Sequence, residues 1–143
     1  MITESTITEL EVCRKACTDC YKICIEILNY CKIQGGKYID MTMVSMIRDC
    51  AEMCMMCINT IDDGSEFMGR ICALCAEMCD RAAMVCEQMS DDAKMMECAA
   101  ACRKCAEYCY QMGLQSAFYF RRSSLVNEES LLYSCDTNNW DVL

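Results

Sequence analysis

The sequence predicts an all-α protein, an antiparallel up-down-up-down four-helix bundle with a cysteine-lined core, followed by a C-terminal tail. Three observations support this prediction. The chain has 143 residues, of which 17 are cysteine, five are glycine and none is proline. Its cysteines recur in steps of four and three residues, which keeps them on one face of a helix. Four such segments are separated by short turns, and short connections make neighbouring helices antiparallel.

The clearest copy of the cysteine pattern runs from Cys98 to Cys109. It has the spacing C-x3-C-x2-C-x3-C, so its thiols stay within roughly 60° of one another around a helix axis. Alanine, arginine, lysine and glutamate fill most of the gaps, and all four favour helix. We call such a row of thiols a stripe. The stripe of this fourth helix contains Cys98, Cys102, Cys105 and Cys109.

The first two helices are defined by their turns as well as by their cysteines. The first is predicted from about Thr6 to Ile33, before the turn that begins at Gly35. The second is predicted from near Asp40 to about Ile61, before the turn at Gly64. The first stripe consists of Cys13, Cys17, Cys20, Cys24 and Cys31. The second consists of Cys50, Cys54 and Cys57, with Met43 and Met46 upstream on the same face.

The third helix is predicted from about Glu66 to Met89. Its stripe contains Cys72, Cys75, Cys79 and Cys86, with Ala82 at one of the expected positions. Ser90 is predicted to cap the fourth helix, which should end near Met112 because Gly113 suits a C-terminal cap. We therefore predict two regions, a bundle domain at 1–113 and a tail at 114–143, which is disordered or a docking segment. The tail holds several aromatic residues and one cysteine, Cys135, that lies on no stripe.

Composition excludes several classes of function. A net charge of −9 argues against nucleic acid, which requires a basic face. Histidine is absent, so the usual general base and the imidazole metal ligand are missing, and we expect no enzymatic activity. No apolar run is long enough to span a bilayer. The amino terminus does not resemble a secretion signal, so we expect reduced thiols and a cytoplasmic location.

Three explanations account for the stripes only in part. Cysteine packs as a small hydrophobic residue, but leucine or isoleucine would fill sixteen core positions better. Disulfides between helices are possible, although adjacent thiols on one helix suit the geometry poorly and a reducing compartment would break them. Iron–sulfur and structural zinc sites use a few ligands in knuckle turns, which does not explain a continuous row.

Cu(I) explains the stripes better, because it is soft, prefers thiolate and thioether ligands and accepts low coordination numbers. Thiols three or four residues apart have Cβ atoms about 5–6 Å apart, within reach of one shared metal ion. If each thiolate bridges two Cu(I) ions, the metal count approaches one per sulfur and the core becomes neutral. We therefore expect many Cu(I) ions along the bundle, and loading should release protons.

Four helices lined with this cysteine pattern resemble the bacterial copper storage proteins, over roughly Leu10 to Met112. The resemblance implies a non-enzymatic store of many Cu(I) ions, commonly a homotetramer. Copper chaperones or cuproenzymes are then candidate partners. The resemblance also implies loading through one open end of the bundle where methionine and histidine gather, and this chain has no histidine. The alternative function is a disulfide-stapled or redox-active helical interaction protein.

Methionine is concentrated at one end of the predicted bundle, where the first and third helices end and the second and fourth begin. There it could pass Cu(I) inward to the nearest cysteines of each stripe. Met43 and Met46 lie on a stripe and are predicted ligands, although methionine often fills gaps in a core. The methionines at this end are Met41, Met43, Met46, Met89, Met95 and Met96.

Overall fold

A computed structural model describes residues 4–123 of the chain. Those residues form four long helices and no β-strand. The helices are α1 (Glu4–Gln34), α2 (Met41–Asp63), α3 (Met68–Glu87) and α4 (Ala93–Ser123). A one-turn 3-10 helix, Gly36–Ile39, lies between α1 and α2. The predicted fold class is confirmed.

The helices close into a ring in which α1 contacts α2 and α4, and α3 contacts the same two helices. Sulfur contacts show that neighbours are antiparallel. Cys13, near the start of α1, contacts Cys109 in the second half of α4, whereas Cys31, near the end of α1, contacts Met95 at the start of α4. The interior of this ring is the core of the protein.

The turns occur where the glycines predict them. Gly35 and Gly64 have φ angles of 67° and 63°, a region that residues with a Cβ rarely adopt. Asp40 begins α2 as its N-cap, since its side chain accepts a hydrogen bond of 3.0 Å from the backbone N–H of Met43.

The predicted end of the fourth helix at Met112 is wrong, because α4 continues through Gly113 to Ser123. Gly113 keeps a helical backbone instead of the positive φ of a C-terminal cap. A Cβ at this position would lie 3.2 Å from the backbone of Ala73 in α3. Gly113 therefore permits close packing of two helices, and no proline follows it to stop α4.

The predicted cap of the fourth helix at Ser90 is also wrong. The α3–α4 connection extends two residues further, and Asp92 caps α4 by accepting from the backbone N–H groups of Lys94 and Met95. Asp92 is held there by the hydroxyl groups of Tyr30 and Tyr38, contacts between distant parts of the chain. The tail cysteine, Cys135, lies outside the described residues.

None of the helices described here is both long enough and apolar enough to cross a membrane.

Candidate metal centre

All four stripes face the interior of the bundle. The sixteen cysteines within residues 4–123 have no solvent exposure, and each is a free thiol. No buried residue in this part of the chain carries a nitrogen or oxygen in its side chain. The core is therefore made of sulfur and alkyl groups alone.

The thiols of different helices meet in groups of four. We call such a group a quartet, and within each quartet the Sγ atoms all lie within 4.8 Å of one another. Each quartet draws its cysteines from three helices. In order along the bundle, the five quartets formed by the described residues are Cys13–Cys17–Cys57–Cys109, Cys17–Cys75–Cys105–Cys109, Cys54–Cys75–Cys79–Cys105, Cys20–Cys50–Cys54–Cys79 and Cys20–Cys24–Cys50–Cys102.

Each quartet shares two cysteines with the next, so the sulfur atoms form one continuous column. The first and second quartets share Cys17 and Cys109, for example. Two neighbouring Sγ atoms in the column are as close as 3.4 Å, the distance between Cys17 and Cys109. A soft metal ion can therefore find two to four sulfur ligands at any height in this column.

The end of the bundle that collects the methionines extends the column with thioether sulfur. The Sδ atom of Met95 lies 3.9 Å from the Sγ atom of Cys31, and both side chains are fully buried. Met43 is also buried, with 6% of its surface exposed. Met46 is only half-buried, and the neighbouring Ile47 occupies the interior position.

Asp92 forms a cluster of hydrogen bonds at the methionine-rich end of the bundle. Its Oδ2 atom accepts hydrogen bonds from the Tyr30 hydroxyl at 2.6 Å and from the Tyr38 hydroxyl at 2.7 Å. These bonds lower the pKa of Asp92 to about 2, because they stabilise its carboxylate. The same carboxylate caps α4 less than one turn before Met95, so it ties the α1–α2 connection to the helix that carries Met95.

The environment of the thiols controls their protonation. Burial is the main reason that the pKa of Cys31 is raised above the ordinary value of a thiol. Elsewhere, the neighbouring Cys102 thiol is the main reason that the pKa of Cys50 is lowered to about 3. The pKa of Cys102 is raised, chiefly by its hydrogen bond with Cys20. One thiolate can thus be stabilised by neighbours that stay protonated, and metal ions must displace the remaining protons.

Some predicted ligands lie outside the quartets but on the same column. Cys72 contacts Cys57 at 3.4 Å. The three others, Cys31, Cys86 and Cys98, lie toward the methionine-rich end. All of these thiols are buried, as the stripes predict.

Two core methionines were not among the residues predicted as ligands. Met95 precedes Cys98 by three residues and Met112 follows Cys109 by three, so both continue the fourth stripe by one helical step. Both are buried, Met95 completely and Met112 with 3% exposed. Extending the stripe at each end would have found them.

Comparisons with known proteins agree with this geometry. The family model of the copper storage protein matches residues 6–114. The uncharacterized cysteine-rich protein YhjQ of Bacillus subtilis (strain 168) is 33% identical over 102 residues, which cover 71% of this chain and 94% of that protein.

Solved structures show the same bundle. The Nmul_A1745 protein of Nitrosospira multiformis has a TM-score of 0.73 and 38% identity, and the match covers 77% of this chain and 99% of that one. The Cu(I)-bound copper storage protein BsCsp3 has a TM-score of 0.70 and 32% identity, with coverage of 73% and 98%. The apo-Csp3 of Bacillus subtilis has a TM-score of 0.64 and 33% identity, with coverage of 72% and 97%. Because the family model matches most of its length, the chain belongs to the copper storage protein family.

Proposed function

We propose that this protein stores Cu(I) in the sulfur column of its bundle and so buffers or detoxifies copper. The observation that carries the proposal is the continuity of the quartets, each of which shares two cysteines with the next, from Cys13 and Cys109 to Cys24 and Cys102. A protein that needed one structural metal ion would require one quartet only. A continuous column instead suits a cargo of many ions.

Charge explains why the cargo is monovalent. Within residues 4–123, the buried core contains no cationic side chain that could balance thiolates. Many unpaired thiolates there would carry a prohibitive solvation cost. One Cu(I) ion per thiolate leaves the core neutral, with each sulfur bridging two ions. We therefore expect a capacity near one Cu(I) per core cysteine.

The ligands we propose are the sixteen stripe cysteines together with Met43 and Met46. The burial of Met43 and the contact between Met95 and Cys31 support sulfur ligation at the methionine-rich end. Met46 is half-buried beside that end, so its role would be to bind Cu(I) transiently during entry. Met95 is added to the proposed set on its contact with Cys31.

Several finer properties belong to the same proposal. We place the protein in the cytoplasm and expect a homotetramer, with copper chaperones or cuproenzymes as partners. We expect no enzymatic activity, because no residue of this histidine-free chain pairs a thiol with an imidazole base. We propose that residues 1–113 form the storage domain, whose last core cysteine is Cys109, and that residues 114–143 form the tail, which begins as a continuation of α4.

The test is a titration of reduced, anaerobic protein with Cu(I) against a competing chelator. We expect uptake near one equivalent per core cysteine. Replacing both Cys75 and Cys79 with serine should lower the capacity by about two equivalents. The control is Cys135→Ser, which changes a cysteine on no stripe and should leave the capacity unaltered.

The alternative, a disulfide-stapled or redox-active interaction protein, predicts a different outcome. It requires few free thiols in freshly purified protein and uptake of only one or two Cu(I) equivalents after reduction. Either result would exclude storage.

A further inference from the structure

Not all five quartets can bind a metal ion at the same time without sharing ligands. Neighbouring quartets share two cysteines, but the first, third and fifth share none. These three separate quartets use twelve different cysteines. They are Cys13–Cys17–Cys57–Cys109, Cys54–Cys75–Cys79–Cys105 and Cys20–Cys24–Cys50–Cys102.

The fifth quartet has the dimensions of a tetrahedral metal site. A Zn–S bond of about 2.3 Å places the sulfurs of a regular tetrahedron about 3.8 Å apart. Cys20 lies 4.0 Å from Cys24, 3.9 Å from Cys50 and 3.7 Å from Cys102, measured between Sγ atoms. Cys24 lies 4.0 Å from Cys50 and 3.9 Å from Cys102. Five of the six edges of this tetrahedron are therefore already formed.

The third quartet is nearly as regular. The Sγ atom of Cys54 lies 4.0 Å from that of Cys75, 3.8 Å from that of Cys79 and 3.9 Å from that of Cys105. Cys75 and Cys79 are 3.9 Å apart. In the first quartet, Cys109 contacts Cys13 at 3.7 Å and Cys17 at 3.4 Å. Its side chains must therefore move further to form a regular tetrahedron around an ion.

The sequence argued against divalent ions because its thiols lie in rows along single helices. The distances between helices show that four thiols can nevertheless surround one such ion. A row of thiols along one helix does not close around a tetrahedral ion, since such an ion needs ligands in four directions. Packing of the helices supplies those directions. In the fifth quartet, α1 contributes Cys20 and Cys24, α2 contributes Cys50 and α4 contributes Cys102.

We propose that the thiol core also binds three divalent ions of the Zn²⁺ and Cd²⁺ class, each in its own tetrathiolate site. The first ion enters the quartet of Cys20, Cys24, Cys50 and Cys102. A fourth ion would have to occupy a quartet that shares two cysteines with each neighbour. Charge makes each of these sites more costly than Cu(I) loading, because four thiolates around a divalent ion leave two negative charges in a dry core. The divalent capacity is therefore far below the one ion per thiol expected for Cu(I).

The test uses Cd²⁺ alone as the probe and the full chain, reduced and free of oxygen. Protein is incubated with excess Cd²⁺, passed through a desalting column with a weak chelator and analysed for bound metal. We expect three retained ions per chain. Titration with Co²⁺ reports the geometry, since tetrahedral thiolate coordination gives strong visible absorption. Retention of any other number, or Co²⁺ spectra of octahedral type, would overturn the proposal.

Two matched variants locate the sites. Cys102→Ser breaks the fifth quartet and should reduce retained Cd²⁺ from three to two. Cys86→Ser changes an equally buried thiol that belongs to no quartet, and should leave three. Far-UV circular dichroism checks that both variants keep the helical fold. Equal loss of Cd²⁺ in both variants would overturn the assignment.

Cu(I) uptake of the same samples separates this inference from the storage function, on which it does not depend. Each variant should lose a similar small amount of Cu(I) capacity, because each removes one column thiol. If the protein takes up many Cu(I) ions but retains no Cd²⁺, the divalent sites are wrong and storage stands. If it retains three Cd²⁺ ions but takes up few Cu(I) ions, the storage function is wrong instead.

Discussion

Asp92 joins two parts of the bundle that are far apart in the sequence, and replacing it with alanine removes four hydrogen bonds. Its Oδ1 atom accepts from the backbone N–H groups of Lys94 and Met95, at 2.9 and 3.1 Å. Its Oδ2 atom accepts from the hydroxyl groups of Tyr30 and Tyr38. The variant therefore uncaps α4 and releases the connection between α1 and α2.

The size of the effect follows from these contacts. Loss of an N-cap side chain costs about 0.5–2 kcal/mol of stability. We expect Asp92→Ala to lie at the upper end, about 2 kcal/mol, because both tyrosine hydroxyls lose their acceptor as well. Asp92→Asn keeps a good capping residue and an oxygen acceptor, so it should lose less than about 1 kcal/mol.

The assay is urea unfolding of the reduced, metal-free protein, followed by far-UV circular dichroism. Asp91→Ala is the control, because Asp91 is an exposed neighbour with the same charge. It should change the free energy of unfolding by less than about 0.5 kcal/mol. Our account of the Asp92 contacts is refuted if Asp92→Ala is as stable as the control variant. It is also refuted if Asp92→Asn lowers the free energy of unfolding as much as Asp92→Ala does.

The same residue predicts a pH dependence. Its pKa is lowered from 3.8 to about 2 in the folded protein, first by Tyr30 and then by Tyr38. A carboxylate with a depressed folded pKa contributes its full stability above the unfolded pKa and loses it as the pH falls. The difference in stability between wild type and Asp92→Ala should be constant above about pH 4 and shrink toward pH 2.

Three further predictions concern packing and copper ligation. Gly113→Ala should lower stability by about 1 kcal/mol, because crowding against Ala73 exceeds the gain in helix propensity; urea unfolding measures it. Ile47→Ala should cost about 2–5 kcal/mol. Met46→Ala should cost less by the same assay, since Ile47 is the fully buried member of the pair. Met95→Leu should change metal-free stability by less than about 1.5 kcal/mol yet reduce chelator-resistant Cu(I) by about one equivalent. Equal costs for Ile47→Ala and Met46→Ala, or unchanged copper retention in Met95→Leu, would contradict these assignments.

Most of the core could be predicted from spacing alone. The helical period fixes the direction of each side chain around its own helix, so every stripe cysteine is buried as expected. The helical period does not decide which side chain is buried where two consecutive residues are both apolar. Met46 and Ile47 both lie near the stripe of α2, and the structure turns Ile47 inward. The choice depends on small rotations of the helix that only its packing determines.

The ends of the fourth helix could not be predicted from local signals. Ser90 and Gly113 are good capping residues by type, yet neither caps α4. Asp92 caps the helix because tyrosines of α1 and of the 3-10 helix hold its carboxylate there. Gly113 serves a close approach to Ala73 instead of a turn. In both cases a contact between distant segments outweighed a local preference.

The sequence by itself determined that this protein is a bundle of four helices with thiols inside, because a period of 3.6 residues is a local property of the chain. Tertiary structure alone decided which thiols meet. A quartet such as Cys20–Cys24–Cys50–Cys102 requires three helices to be aligned along the bundle axis. That alignment is set by the connections and by close contacts such as Gly113 with Ala73, which no single helix encodes.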